Sequence, residues 1–150
     1  MSNQHPYRVL AAPHGHRVKI DTEIVPLIKL IWQQGWVTFN SCQDNFGYAW
    51  VQLFEPDAVA FLNTVRDHIV GEDDGGHLLR DRVLDIDELE LRRPRDLDRP
   101  PENPNAWYLD RYVTGLGLAT ISVRFPRAHL GAVVDALQAG VSGEIGPEPR

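Results

Sequence analysis

The stretch AWVQLFEPDAVAFLNTV, residues 49–65, decides how this chain folds. Val51 and Leu53 alternate with Trp50, Gln52 and Phe54, the two-residue period of a strand with unlike faces. Pro56 stands where the first turn of a helix tolerates a missing N–H. Ala58, Leu62, Val65 and Ile69 then continue at helical spacing toward Gly71. The same strand-into-helix pattern recurs as ATISVRFPRAHLGAVVD, residues 119–135. Laid over one another without gaps, Ala49 meets Ala119, Val51 meets Ile121, Leu53 meets Val123, Pro56 meets Pro126 and Ala58 meets Ala128. Two unrelated strand–helix units would also look somewhat alike. As a weak internal repeat, the echo predicts two units packing their helices on one face of a shared sheet. If Ala119, Ile121 and Val123 face the helices, so do Ala49, Val51 and Leu53. Thr120, Ser122 and Arg124 then read as the solvent side of a half-buried strand.

Working outward, RVKI at 17–20 is a short strand, and Asp21 or Thr22 offers a cap for the helix that follows. Ile24, Leu27, Ile28, Ile31 and Trp32 form one apolar stripe, Pro26 sits in the first turn, and Gly35 can end the helix in a left-handed conformation. WVTFN, 36–40, reads as the next strand, and QDNFG has the composition of a hairpin loop before 49–54. Val37 and Phe39 are the expected core residues of that strand. Trp36, Thr38 and Asn40 would then share a second face with Trp50, joined by Cys42 if the strand runs on. Two tryptophans among Thr, Asn and Gln suit a ligand cavity or a subunit interface; a covering by the middle segment would serve equally.

Downstream, VLDIDELELR, 83–92, reads as a strand with a bulge or turn near Glu88, with a helix as the alternative. RRPRDLDRPPENPN, 92–105, has four prolines and almost no apolar residues, the composition of a long exposed loop. WYLDRYV and the turn TGLG precede the 119–125 strand, and Pro126 is expected to open a last helix ending at Gly140, with a frayed tail over 143–150. The expectation is a single α+β domain over 1–150, a mainly antiparallel sheet with about three helices. A chain of 150 residues buries roughly 68–70% of its unfolded surface. Its 43% apolar residues and four tryptophans can supply the core.

One cysteine excludes an internal disulfide. The N-terminus lacks a basic segment followed by an apolar block, and Lys29 interrupts the best apolar run before the roughly 20 residues a span needs. A soluble cytoplasmic protein without membrane partners is the expectation. The formal net charge of −6 argues against nucleic acid as a partner. Arg92, Arg93, Arg95 and Arg99 are interleaved with Asp96 and Asp98, a pattern that reads as solvated loop.

The candidate chemistry centres on TFNSCQDN, 38–45. A catalytic Cys42 needs a cation, a helix N-terminus or a base to make thiolate. Its neighbours supply none, so a base would come from His5, His14, His16, His68, His77 or His129. The flanking Asn40, Ser41, Gln43, Asp44 and Asn45 are rarely collected for packing alone, and both the nucleophile and the inert-filler readings stay open. His14 and His16 read as ordinary exposed histidines, and Asp85, Asp87, Glu88 and Glu90 as solvated carboxylates. No residues are assigned to a metal, and no cofactor is indicated. Phosphate-loop, dinucleotide, G-x-S-x-G and H-E-x-x-H motifs are absent.

The pattern D-x-E-I-x-P-L-I followed by G-x-x-T-x-x-S-C, Asp21 through Cys42, resembles a group of small bacterial proteins with the same helix–strand–Ser-Cys-Gln arrangement. It is also locally similar to the wybutosine-synthesizing methyltransferase family, whose strand ends in Ser-Cys-Ser-Gly-Arg. Ser41 and Cys42 match; Gln43, Asp44 and Asn45 depart from it, so tRNA and S-adenosylmethionine chemistry are not carried over. The resemblance implies an α+β layout with the Ser-Cys segment bordering a cleft.

Two functions follow as expectations. The first is a small-molecule site walled by Trp36 and Trp50 and lined by Thr38, Asn40 and Ser41. There Cys42 is nucleophile or ligand contact, and Asp44 base or orienter. The second is a non-enzymatic interaction module, a homodimer joined through the tryptophan-bearing face.

Overall fold

In the computed structural model, residues 5–13, 15–85 and 103–144 are described. The elements are β1 (Tyr7–Ala11), β2 (Arg17–Asp21), α1 (Val25–Gln33), β3 (Thr38–Asn45), β4 (Tyr48–Phe54), α2 (Glu55–His68), β5 (Tyr108–Val113), β6 (Ala119–Pro126) and α3 (Leu130–Glu144). The fold is α+β: the described residues form three helices, an antiparallel β1–β2 hairpin, and a four-stranded antiparallel sheet in the order β3-β4-β6-β5. His14, most of the expected 83–92 strand, the arginine-rich stretch through residue 102 and the tail from 145 lie outside the described residues.

The internal echo has a geometric counterpart. Gln52 and Ser122 occupy the same position in the overlay of 49–65 on 119–135, and they are direct partners across β4 and β6. The two units therefore meet antiparallel about their own equivalent residues, an approximate two-fold. Ala49, Val51, Leu53, Ile121, Val123 and Phe125 are all buried on the helical side. There they join Ile24 just before α1, Leu27, Ile28 and Ile31 of α1, Phe61, Leu62 and Val65 of α2, and Val133 and Leu137 of α3 in one core.

Several local expectations shift. α1 ends as Gly35 predicts, at φ 83°. The Gly35 N–H reaches the Trp32 carbonyl at 2.9 Å and the Trp36 N–H reaches the Ile31 carbonyl at 3.3 Å. This is a Schellman cap, whose following residue turns back onto the helix. Trp36 accordingly packs against the core, edge-on to Phe61 at 6.4 Å, and not on the face of Trp50. Asp21 makes no side-chain cap; a 3-10 turn, Thr22–Ile24, leads into α1 instead.

β3 is longer than expected, and its hairpin turn is only Phe46–Gly47, both at positive φ (57° and 80°), as a two-residue turn with primed geometry requires. Thr38 faces Leu53 and Asn40 faces Gln52, with an irregularity between them. Such an extra residue shifts the side-chain alternation. Thr38 therefore points to the helices, where its Oγ1 accepts a hydrogen bond from Trp32 Nε1 at 3.0 Å. Phe39 is moved out of the expected core, 44% exposed, and stacks edge-on against Phe54 at 4.7 Å.

The second face of β6 is buried, not solvated: Thr120, Ser122 and Arg124 are all covered. Arg124 Nε donates to Asp110 Oδ2 at 3.0 Å, and its guanidinium lies 4.9 Å from the Trp50 ring centre. β6 then turns through Arg127–His129 before α3 begins at Leu130, and α3 runs past Gly140 to Glu144. Gly140 is not a stop signal; it lies where α3 packs closely on Thr64 and His68 of α2.

Candidate functional site

β3 carries the candidate site because it is the strand against which the β1–β2 hairpin leans. Two features lie along it. At its start, between the hairpin and the strand, is a cavity of about 160 Å³ lined by Ala12, Val18, Lys19, Ile20, Trp32, Thr38, Phe39, Asn40 and Ser41. Thr38, Asn40 and Ser41 are the uncharged polar residues of its lining, and Trp32 and Phe39 the aromatic ones. The Lys19 ammonium sits over the Tyr7 ring at 5.0 Å, so this lysine has an aromatic neighbour for its charge.

Farther along β3 lies a polar knot. The Gln43 N–H donates to Asp21 Oδ2 at 2.9 Å, where β2 ends. The Gln43 side chain, nearly fully buried, accepts from the Glu23 N–H at 2.8 Å and donates to Glu23 Oε2 at 3.2 Å. Arg127 spans Glu23 and Asp44, reaching Asp44 Oδ2 at 2.7 Å. The other oxygen of Asp44 accepts the Gly47 N–H at 2.8 Å and holds the hairpin turn. Both carboxylate oxygens of Asp44 are therefore engaged away from Cys42.

Cys42 lies opposite Trp50, half-buried, on the sheet face away from the helices. Burial first, then the carboxylates of Asp21 and Asp44 and a hydrogen bond to Asp21, push its thiol above the ordinary range, outweighing a backbone hydrogen bond at Asp44. Among the described histidines, His5 is the one that reaches it, with Nε2 3.8 Å from Sγ. That same Nε2 lies 3.0 Å from the Asp44 carbonyl oxygen, an arrangement in which it carries the proton. An imidazole donating through Nε2 does not accept the thiol proton there.

The expected site residues thus divide. Thr38, Asn40 and Ser41 border the cavity; Cys42 and Asp44 belong to the polar knot; Trp50 lies over Arg124 on the second sheet face, its buried indole N–H without a hydrogen-bond partner among the described residues. Trp36 belongs to none of these. Sequence reasoning missed Asp21, Glu23 and Arg127, and named His5 only as one of six distant bases. Asp21 carried a signal, but one that reads as a helix cap. No family model matches the chain, and no curated protein or solved structure matches it.

Proposed function

We propose that this protein binds a small polar molecule where the β1–β2 hairpin meets the start of β3, with Cys42 outside the cavity and not a nucleophile. The cavity of about 160 Å³ bordered by Thr38, Asn40 and Ser41 carries the reading. Its volume is about five times the ~30 Å³ share of a liquid water and lies below the ~300–1,000 Å³ of drug-sized pockets. A molecule of a few heavy atoms, or one end of a larger one, suits it. The raised thiol pKa and the engaged oxygens of Asp44 support the non-nucleophilic part.

The homodimer reading is less well supported, because Trp36, one of its two tryptophans, packs on Phe61. The test is a thermal-shift screen of small polar compounds on the wild type and on Ala12→Leu, which extends a side chain into the cavity. Compounds should stabilise the wild type alone. Equal stabilisation of both proteins, or none of either, would overturn the reading.

A further inference from the structure

The feature that the cavity leaves unexplained is a convergence of three metal-ligating side chains. His5 precedes β1, Asp21 ends β2 and Cys42 lies within β3, yet their ligand atoms all lie within 4.8 Å of one another. We propose that His5, Asp21 and Cys42 form a binding site for a divalent transition-metal ion of the zinc class, with one coordination position left for water or a ligand.

The donor set selects the ion. A thiolate and an imidazole suit zinc, cobalt or nickel, whereas magnesium and calcium take oxygen ligands. Zinc sites with three protein ligands keep a fourth position open. With Zn–S of about 2.3 Å and Zn–N of about 2.0–2.1 Å, tetrahedral angles place sulfur and nitrogen roughly 3.6 Å apart. The observed separation of Cys42 Sγ and His5 Nε2 is 3.8 Å. The side chains already stand close to the spacing that such an ion imposes.

Charge points the same way. Gln43 links Asp21 to Glu23, and Arg127 links Glu23 to Asp44. Arg127 is committed to Glu23 and Asp44, and Asp21 has no cationic partner among the described residues. The Gln43 N–H holds Asp21 Oδ2 in place, the kind of outer hydrogen bond that orients a ligating carboxylate.

Binding needs no redox partner. The incoming M²⁺ forms a bond to Cys42 Sγ as the S–H bond breaks, and the proton leaves to solvent. His5 binds through its Nε2 lone pair as neutral imidazole, its proton moving to Nδ1 and its hydrogen bond to the Asp44 carbonyl being given up. This site is independent of the cavity reading, so either can fail alone.

The test is a Co²⁺ titration of the untagged, chelator-stripped full chain near neutral pH. A single equivalent should bind with a near-ultraviolet thiolate-to-cobalt absorption band, and Zn²⁺ should displace it. His5→Ala and Asp21→Asn should each weaken Co²⁺ binding by about tenfold or more, and Cys42→Ser should remove the band. His5 lies outside the regular elements, so His5→Ala serves as the decisive variant if Cys42→Ser fails to fold. Ala12→Leu should bind Co²⁺ as the wild type does, even where it loses the cavity's compounds. Absence of saturable binding, absence of the band in the wild type, or unchanged affinity in His5→Ala would each overturn the proposal.

Discussion

Gly140 of α3 faces Thr64 of α2 so closely that a β-carbon on the glycine would lie 2.5 Å from Thr64 Cγ2. Side chains do not share space at that distance, so the glycine sets how near the two helices pack, and with them the two strand–helix units. Gly140→Ala should gain about 0.5–1 kcal/mol of helix propensity but lose about 1–3 kcal/mol to overpacking. The expected result is a net loss in urea denaturation, partly recovered by Thr64→Ser, which removes the clashing methyl group. A stabilised Gly140→Ala would mean that the helices separate at little cost.

The Arg124–Asp110 pair lies on the covered side of the sheet, with both side chains less than a tenth exposed. Removing one partner leaves a buried charge without compensation, so Asp110→Ala should cost about 3–5 kcal/mol. Replacing both, as Arg124→Met with Asp110→Leu, should cost clearly less than the single change, because the charge and its desolvation penalty leave together. Equal losses in chemical denaturation would show that Arg124 reaches water when Asp110 is gone.

His129 Nδ1 accepts a hydrogen bond from Trp107 Nε1 at 3.1 Å, and both residues are buried. Burial foremost holds the His129 pKa below 6.5; Asp73 and Asp74 pull it up and Arg82 pushes it down. A depressed pKa means that the unfolded chain binds the proton more readily. This contribution to stability is complete above the unfolded value of ~6.5 and is lost as pH falls through the lower folded value. Stability measured from pH 7.5 down to 5 should therefore decline less steeply in His129→Gln than in the wild type. His129→Ala should in addition cost about 1–3 kcal/mol, since the Trp107 N–H loses its acceptor. An identical pH slope in wild type and His129→Gln would refute the assignment.

Much of the framework was legible in the residues themselves. The alternation of Ala49, Val51 and Leu53 and of Ile121, Val123 and Phe125 correctly marks the helical side of the sheet. Pro56, Gly35 and the apolar stripe of α1 mark elements through local backbone chemistry alone. The overlay of 49–65 on 119–135 even matches Gln52 with its eventual partner Ser122. The cavity residues Thr38, Asn40 and Ser41 were within reach for the same reason: they neighbour the cysteine that drew attention to β3.

What the sequence by itself determined is what depends on near neighbours: helical and strand periodicity, the glycine turn after α1, and which face of β4 and β6 meets the helices. The tertiary structure decided the rest. Trp36 joins the core because the Schellman cap turns it back onto α1, and Phe39 leaves the core because the irregular pairing of β3 with β4 shifts its alternation. Ser122 and Arg124 are buried because β6 lies between β4 and β5 with its second face covered. His5, Asp21 and Cys42 meet because the β1–β2 hairpin docks beside β3. Periodicity is set over a few residues of chain, whereas register and docking are set by partners tens of residues away, and no local pattern encodes them.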